Sequence, residues 1–434
     1  MKKDCINIVT LGCSKNKVDS EHLAALIPTE TYSLTHDGEQ ESEIVVINTC
    51  GFIGDAKEES IDMILTFAEA RKRGEVKQLY VMGCLSQRYK KSLQAEIHEV
   101  DAFFGVDQID EVASAILKRK TEKIPAHYQR SLSTPAHYAY LKISEGCDRS
   151  CSFCAIPLIR GKHISVPKEI LLKEAQLLAD KGVKELILIA QDLTYYGIDL
   201  SGKREITNLI EALSQIDGIE WIRIQYTYPA GFPKDLISLM VNNPKVCNYI
   251  DMPLQHINDQ LLKSMKRGLD GDKTRYLVGS LRNEIPDLSF RTAFIVGYPG
   301  ETDEMFEELC DFVSEMKFER LGVFMYSAEE DTAAYDLGDI VPEAVKQERM
   351  ERLMEIQQSI SLEINAKKVG KTLKVLVDRL ENGFYVGRTQ YDSPEVDNEV
   401  LIDVTKSTEV KIGNFYNAKI TEADFFDLYA EILG

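Results

Sequence analysis

Short apolar runs recur in the first part of the chain, and each one ends in a cysteine. They are INIVTLGC (6–13), IVVINTC (44–50) and LYVMGC (79–84), with helix-like stretches between them. Strands that alternate with helices at this spacing along the sequence are typical of βαβ units, which build parallel sheets. The pattern therefore predicts an N-terminal α/β domain with a parallel sheet over residues 1–125.

Six further apolar runs, separated by helical patterns, follow in the middle of the chain. They are HYAYLKIS (137–144), KELILIAQ (184–191), EWIRIQY (220–226), CNYIDMP (247–253), SFRTAFIVG (289–297) and RLGVFMYS (320–327). Six consecutive βα units predict an open relative of the TIM barrel, a partial (βα)6 barrel, over residues 133–368. In such barrels the chemistry lies at the C-terminal ends of the strands.

The pattern changes again after a charged helical stretch at 343–368. The runs that follow are TLKVLVDRLE, GFYVGRTQ, EVLIDV and FYNAKITEADFFDLYAEIL, and glycines and Asp/Asn pairs punctuate them. Alternation of this kind predicts a small antiparallel β-barrel, OB-like in type, over residues 369–434. Polar stretches at 118–123 and 131–135 are interpreted as the linker between the first two domains.

The charge of the chain indicates which classes of binding partner are favourable. The 434 residues carry a formal net charge of -19, and residues 370–434 contain seven Lys/Arg against twelve Asp/Glu. Nucleic acid is an unfavourable partner for such a chain, because binding it requires Lys and Arg to replace phosphate counterions. A basic protein partner fits better, although an acidic surface that only keeps the protein soluble gives the same charge.

The start of the chain, MKKDCINIVTLGC, lacks the apolar region of a signal peptide. No other window reaches the roughly 18 apolar residues of a membrane span. These features predict a cytoplasmic protein with no membrane partner, in which thiols stay reduced. An odd number of cysteines, nine in all, then indicates metal binding or redox chemistry rather than disulfides.

The cysteines that end the first three runs, Cys13, Cys50 and Cys84, occupy equivalent positions. Because parallel strands all point the same way, their C-terminal ends lie along one edge of the sheet, where ligands of open α/β sheets bind. A single cysteine at such a position is often only a small buried hydrophobe. Three at equivalent positions predict a set of metal ligands.

A second set of cysteines is crowded into GCDRSCSFCAIP, just past the first predicted strand of the barrel. Cys147, Cys151 and Cys154 give three thiolates, whereas structural zinc takes four ligands and commonly a second CxxC pair, which this chain lacks. The other explanation is an iron–sulfur cluster, whose irons are ordinarily held by four Cys thiolates. Three cysteines would leave one iron open to a substrate or cofactor.

The CxxxCxFC spacing at this position resembles the signature of the radical S-adenosylmethionine (SAM) enzymes. The resemblance implies a [4Fe-4S] cluster on Cys147, Cys151 and Cys154, with SAM on the open iron as the source of a 5′-deoxyadenosyl radical. It also implies contacts to SAM from Phe153, Gln191 and the turn after the fifth strand, which contains Gly297 and Pro299. From its residues alone, that turn is interpreted as an ordinary strand-to-helix loop.

The sequences around the cysteines of the first set resemble those of the N-terminal domain of the methylthiotransferases. They are LGCSKNKVDSE, NTCGFI and GCLSQRY. This radical SAM family has a second three-cysteine [4Fe-4S] cluster, implied here at Cys13, Cys50 and Cys84, and a C-terminal TRAM barrel. These sequences are most similar to the RimO branch, which modifies an aspartate of ribosomal small-subunit protein S-twelve. The alternative is the branch that modifies adenosine (C2) in tRNA, whose members tend to read GCQMN.

The resemblance implies methylthiolation of the aspartate β-carbon, with SAM both as methyl donor and as radical source. It further implies a basic ribosomal protein as substrate and a flavodoxin-like or ferredoxin-like electron donor. The acidic terminal barrel independently favours the protein over tRNA. A non-catalytic metal-binding scaffold is the remaining alternative, and Cys5, Cys247 and Cys310 are interpreted as packing residues.

Overall fold

A computed structural model shows three main sheets that follow one another along the chain, and a separate two-stranded sheet. The structure describes residues 3–38, 42–119, 129–406 and 409–433. The linker predicted at 118–123 lies outside the described residues from residue 120 onward, as does the predicted boundary at residue 125. None of the helices in the described ranges combines the length and the apolar character that crossing a membrane requires.

The N-terminal sheet is parallel throughout its described strands, with the order β2-β1-β3-β4-β5. Apolar residues cover both of its faces, because helices pack on each side. The strands are β1 (Asp4–Thr10), β2 (Tyr32–His36), β3 (Ile44–Thr49), β4 (Gln78–Gly83) and β5 (Ala102–Phe103), and the helices are α1 (Ser14–Ala25), α2 (Gly54–Lys72), α3 (Cys84–Glu96) and α4 (Ile109–Leu117).

The predicted parallel α/β fold of this part is confirmed, but the apolar runs predict only three of its strands. Strand β2 lies at one edge of the sheet and is only partly buried, so its sequence YSLTH lacks an apolar run. Strand β5, at the other edge, is two residues long. Cys5 lies within β1 rather than before it, because that strand already begins at Asp4.

The middle part is a partial barrel of six parallel strands in the order β13-β12-β11-β10-β9-β6, as predicted. Its strands are β6 (Tyr138–Lys142), β9 (Glu185–Ile189), β10 (Trp221–Ile224), β11 (Val246–Asp251), β12 (Ser289–Val296) and β13 (Arg320–Met325), and β7 (Ser144–Glu145) pairs with β8 (Ile164–Ser165) beside them. Its helices are α5 (Ile156–Arg160), α6 (Lys168–Asp180), α7 (Ile198–Ser201), α8 (Ile206–Ser214), α9 (Lys234–Asn242), α10 (Asp259–Ser264), α11 (Gly271–Glu284) and α12 (Asp303–Met316).

Alternate residues of these strands face opposite sides. Leu186, Leu188 and Ile222 belong to the large apolar core between the strands and the helices. Their neighbours Ile187 and Arg223 face the concave side of the open barrel and are fully buried as well. The concave side is therefore covered, although a six-stranded barrel does not close on itself.

The C-terminal part is a closed barrel with the strand order β14-β15-β16-β18-β17. It follows the long helix α13 (Glu343–Ala366) and consists of β14 (Thr372–Glu381), β15 (Phe384–Thr389), β16 (Val400–Asp403), β17 (Phe415–Ala423) and β18 (Leu428–Ile432). The last predicted run thus contains two strands, which pair with each other. Four of the pairings are antiparallel and the pairing of β16 with β18 is parallel.

The loop between β15 and β16 covers the concave side of the partial barrel. Its backbone accepts a hydrogen bond from Arg223 at the carbonyl of Gln390 (2.7 Å). Further along the loop, Asp397 accepts hydrogen bonds from Tyr249 (2.7 Å) and Arg291 (3.1 Å). The C-terminal barrel is thus attached through the interior of the partial barrel.

Candidate functional site

The first cysteine set lies where three neighbouring strands of the N-terminal sheet end. Cys13 directly precedes α1, Cys50 follows β3, and Cys84 is the first residue of α3, just after β4. Strands β1 and β3 pair although β2 separates them in sequence, so Cys13 and Cys50 flank the point where the strand order reverses. Ligands of open α/β sheets bind at such switch points.

Gly12 lets the first loop approach Cys50 closely. Its φ of +87° is in the left-handed region, and a Cβ at this position would lie 2.8 Å from Cys50 Sγ. Asn16 holds the loop from the other side, because its Nδ2 donates to the carbonyls of Leu11 (2.9 Å) and Thr49 (3.1 Å). The structure thus brings the loops of Cys13 and Cys50 into contact.

Burial raises the pKa of two thiols of this set. Burial raises the pKa of Cys84 to about 12, and the neighbouring thiols of Cys13 and Cys50 add to the increase while Arg160 opposes it. Burial also raises the pKa of Cys50. Because the thiolate is the form that binds metals, a metal bound here has to displace protons, and a positive charge beside the sulfur favours that exchange.

The second set lies on the loop after β7, at the C-terminal end of the first barrel strand, and comprises Cys147, Cys151 and Cys154. The Cys147 N–H donates to the carbonyl of Gly161 (3.1 Å), and the Cys154 N–H donates to that of Cys151 (3.2 Å). Gly146 starts the loop with a φ of +75°, and a Cβ there would overlap the carbonyl of Lys162. The backbone therefore fixes the spacing of the three cysteines.

Arg267 is the cation beside the second set. Its Nη1 donates to Cys151 Sγ at 3.2 Å, and its guanidinium lies 4.5 Å from the ring centroid of Tyr228. Burial raises the pKa of Cys147 to about 11 and that of Cys154 to about 12. Like the first set, the second has a buried guanidinium beside one of its sulfurs.

Gln191, predicted to contact SAM, lies just after β9 at the same end of the barrel. Its Nε2 donates to Glu145 at 2.6 Å. Its Oε1 is buried and has no hydrogen-bond partner within the described ranges. The carboxylate of the neighbouring Asp192 has protein partners, because it accepts hydrogen bonds from Arg149 (2.7 Å) and Thr194 (2.6 Å).

Phe153 and the turn after β12, both expected from the resemblance to contact SAM, lie together. Phe153 packs against an apolar cluster that includes Ile295 and Tyr298. Gly297 lies between these two residues with a φ of +74°, and its N–H donates to Glu301. Pro299 follows in the same turn. This turn and Gln191 flank the cysteine loop along the mouth of the barrel.

Arg160 joins the two cysteine sets. It is the last residue of α5, which follows the second set, and its side chain is 1% exposed. Its Nη2 donates to Asn16 Oδ1 at 2.6 Å and lies 3.4 Å from Cys84 Sγ, both in the N-terminal part. Ala155 and Ile159 pack against Cys84 on the same side. The two sets therefore face each other across one contact.

Buried carboxylates complete this contact. Arg160 Nη1 donates to Asp19 of α1 (3.2 Å) and to Glu145 (2.8 Å), and Lys142 binds the same two carboxylates. Burial alone would raise the pKa of Glu145, but the charges of Lys142 and Arg160 outweigh it and hold this pKa far below its ordinary value. The four side chains thus form a charged cluster between the two cysteine sets.

A second contact lies beyond β13. Glu329 accepts hydrogen bonds from Arg88 of α3 (2.6 Å) and Lys57 of α2 (3.0 Å). Glu329 and Arg88 are almost fully buried, with side chains 2% and 6% exposed. The N-terminal part is therefore held over the barrel mouth at two separate places.

The donor sets fit iron–sulfur clusters better than single metal ions. Zinc holds all of its sulfurs at about 2.3 Å, whereas a cluster spreads its thiolates over several irons. In the described part of the chain, no three His, Cys, Asp or Glu side chains are gathered closely enough to hold one ion. Two buried polar atoms, Asn48 Oδ1 near the first set and Gln191 Oε1 near the second, have no hydrogen-bond partner among the described residues.

Sequence reasoning missed the residues that join the two sets. Asp19, Lys142, Glu145 and Arg160 are charged residues with no recognisable metal or catalytic spacing. Arg160 of α5 and Asp19 of α1 are far apart in the sequence and meet only in the folded chain.

Comparison with known families matches three successive parts of the chain. Residues 5–105 match "Uncharacterized protein family UPF0004", residues 141–313 match the radical SAM superfamily, and residues 369–433 match the TRAM domain. The three matches follow the order of the three sheets.

Curated relatives are similar along their full lengths. The chain is 54% identical to a protein of Flavobacterium psychrophilum, over 99% of this chain and 98% of the relative. It is 53% identical to proteins of Christiangramia forsetii (100% and 95%) and Bacteroides thetaiotaomicron (100% and 99%). All three are named ribosomal protein uS12 methylthiotransferase RimO.

Among solved structures, the radical SAM methyltransferase TsrM from Kitasatospora setae, with cobalamin and a [4Fe-4S] cluster bound, has a TM-score of 0.55. The match covers 89% of this chain and 81% of TsrM at 14% identity. The cobalamin-dependent SAM radical enzyme OxsB has a TM-score of 0.51, over 81% of this chain and 56% of that protein at 12% identity. These similarities concern the fold.

Proposed function

Because this chain belongs to the RimO family of radical SAM methylthiotransferases, we propose that it methylthiolates the β-carbon of an aspartate in ribosomal protein uS12. The name uS12 denotes the ribosomal small-subunit protein S-twelve. The observation that carries the proposal is identity of 50% or more with RimO proteins along the whole chain. The contact between the two cysteine sets supports it.

The proposed cofactors are an iron–sulfur cluster with SAM, and a second cluster. Cys147, Cys151 and Cys154 would hold the first [4Fe-4S] cluster, and Cys13, Cys50 and Cys84 would hold the second. When bound, the clusters and SAM supply the methylthio group and a 5′-deoxyadenosyl radical that removes hydrogen from the aspartate β-carbon. A thiol that binds metal has to lose its proton, and Arg160 beside Cys84 and Arg267 beside Cys151 would compensate the resulting charge.

The residues of the chain orient the reactants and exclude water. Gln191 offers a free carbonyl oxygen to SAM, and its amide is fixed by Glu145. Phe153 and the turn at Gly297 and Pro299 form an apolar wall for the adenosine part of SAM. A covered barrel mouth keeps a radical away from solvent and from side reactions.

The charge of the chain supports a protein substrate. Ribosomal proteins are basic, whereas tRNA is a polyanion, and the chain has a net charge of -19. The terminal barrel, a common nucleic-acid-binding module, is acidic here. Several of its acidic residues, such as Glu381, Glu422 and Glu431, are exposed.

The proposal includes a reductant and a compartment. A flavodoxin-like or ferredoxin-like protein is the proposed electron donor, since cleavage of SAM consumes an electron. The cytoplasm is the proposed location, because the substrate is a ribosomal protein.

Anaerobic turnover with uS12 and bulk tRNA, each followed by mass spectrometry, tests the proposed function. One methylthio group on uS12 and none on tRNA is the expected result, and the reverse pattern would overturn it. Cys151→Ala serves as the matched inactive variant and should form no 5′-deoxyadenosine. If it still does, the second cysteine set is not the radical site; if the wild type forms none, the chain is a metal-binding scaffold.

A further inference from the structure

Lys15 carries a buried positive charge at the mouth of the barrel. It lies in the first turn of α1, two residues after Cys13, and only 7% of it is exposed. Its Nζ lies 2.9 Å from the ring centroid of Tyr226, at the end of β10. Tyr226 has a φ of +62°, a strained conformation for a bulky residue, which often accompanies a functional site.

Among the described residues, no carboxylate lies within ion-pair distance of this charge, although Asp251 is near enough for the Lys15 charge to oppose the rise that burial causes in the pKa of Asp251. Within the described ranges, the Lys15 ammonium has neither a hydrogen bond nor an ion pair, whereas Lys17 of the same helix pairs with Glu395 at 2.7 Å. The nearby carboxylate of Asp251 is paired with Arg291 at 3.3 Å instead. Burying an ammonium without an anion is unfavourable, and a cation–π contact compensates only part of the cost.

The position of Lys15 is central to the site. Its neighbour Asn16 accepts the hydrogen bond from Arg160 that joins the two cysteine sets. On the other side, the Tyr226 carbonyl accepts from the N–H of Leu193, which directly follows Gln191 and Asp192. Lys15 therefore lies between the loops that carry the proposed sulfur donor and the proposed SAM contact.

We propose that Lys15 binds the side-chain carboxylate of the aspartate that is modified. The inference rests on the proposed function. An incoming carboxylate supplies the missing counter-ion through a charge-assisted hydrogen bond in a buried site. Because the β-carbon is bonded directly to that carboxyl carbon, holding the carboxylate fixes the reacting carbon within one bond. The same contact rejects asparagine and other uncharged residues at the target position.

A double-mutant cycle tests this contact. It combines Lys15→Met in the enzyme with asparagine in place of the target aspartate in uS12, and measures both the Kd without SAM and the KM for methylthiolation. For the wild-type enzyme, the change to asparagine should weaken binding at least about 30-fold, as expected for a buried charged partner. For Lys15→Met, aspartate and asparagine should bind within about 3-fold of each other, because the two changes remove one interaction.

Two further variants separate binding from packing. Lys15→Arg keeps the charge and should restore part of the preference for aspartate. Lys17→Met removes a lysine of the same helix that already has an anion, and should leave the preference intact.

Additive effects of Lys15→Met and the substrate change would overturn the inference. Undiminished preference for aspartate in Lys15→Met would do the same. Failure of the proposed function looks different, because the wild-type enzyme would then not modify uS12 at all.

Discussion

The guanidinium of Arg160 lies 3.4 Å from the sulfur of Cys84, in a contact between the partial barrel and the N-terminal sheet. The two residues are 76 positions apart in the sequence. The contact sets the geometry between the two cysteine sets, because α5 directly follows the second set and Cys84 belongs to the first. The first two predictions follow from this arrangement.

Removing the Arg160 charge is expected to weaken metal binding at the first set. In a background where Cys147, Cys151 and Cys154 are alanine, Arg160→Gln should lower the iron bound per chain after anaerobic reconstitution and change the electron paramagnetic resonance spectrum. Loss of one member of the buried cluster with Asp19 and Glu145 should also cost about 3–5 kcal/mol of unfolding free energy. Arg160→Lys should recover part of both.

The exposed ion pair of Arg71 with Asp101 provides the control. Arg71→Gln should change the unfolding free energy by at most about 1 kcal/mol and leave the iron content unaltered. Unchanged iron and an unchanged spectrum in Arg160→Gln would show that Arg160 has no influence on the first set.

The two cysteine sets should separate the two halves of the reaction. Replacing Cys13, Cys50 and Cys84 together by alanine should leave about half of the iron, if each set holds one cluster. Formation of 5′-deoxyadenosine should persist, because it depends on the second set, while methylthiolated uS12 should be absent. A methylthiolated product from this variant would rule out the first set as the sulfur site.

Gly12 offers a test of the close approach to Cys50. An alanine Cβ there would lie 2.8 Å from Cys50 Sγ, so Gly12→Ala should displace that sulfur and lower the iron content of the first set. Gly74→Ala is a matched control, since its φ of +80° is similar and nothing lies within 4 Å of the added Cβ. Both variants carry the backbone strain of about 1–2 kcal/mol, but only Gly12→Ala should lose iron. Equal iron in both would mean that the close approach is unimportant.

Acid should loosen the attachment of the C-terminal barrel. Glu185 of β9 pairs with Arg223 (2.8 Å) and with Arg388 (2.9 Å), and Arg388 also binds Asp378 (2.6 Å). Burial would raise the pKa of Glu185 and of Asp378, but the arginines outweigh it and both values are lowered. Carboxylates of this kind stabilise the fold above their unfolded pKa, near 4.5 for Glu185, and lose that contribution as the pH falls towards the folded value.

Denaturant unfolding between pH 7 and pH 3 measures this effect. The unfolding free energy should fall below about pH 4.5 in the wild type, and the fall should be smaller in Glu185→Gln, which is already destabilised at neutral pH. Glu59→Gln, at an exposed position of α2, should retain the wild-type pH profile. An identical acid profile in Glu185→Gln would show that this cluster does not govern the pH dependence.

Much of the fold followed from the apolar pattern. Most residues of β6, β9, β10, β11 and β12 are buried between the helices on one side and the covered concave side on the other, so their runs are rich in apolar residues. Strands β2 and β5 lie at the sheet edges and lack that signal. The loop between β15 and β16 could not be placed, because its polar residues, such as Asp397, find their partners only across the barrel interior.

The candidate site was predictable where local spacing carries the chemistry, as in the loop of Cys147, Cys151 and Cys154. The strand ends also indicated Cys13, Cys50 and Cys84. The contacts of Arg160 and Lys15 depend on how two separately folded sheets dock, and no short-range pattern encodes that. These two residues are where the structure adds most to the sequence.

The most direct test of the account is turnover with uS12 that carries deuterium on the β-carbon of the target aspartate. If the 5′-deoxyadenosyl radical removes hydrogen from this carbon, deuterium should appear in 5′-deoxyadenosine and the same aspartate should gain one methylthio group. Methylthiolated uS12 accompanied by unlabelled 5′-deoxyadenosine would contradict hydrogen removal from the β-carbon. Methylthiolation of tRNA with unmodified uS12 would contradict the assignment of the substrate.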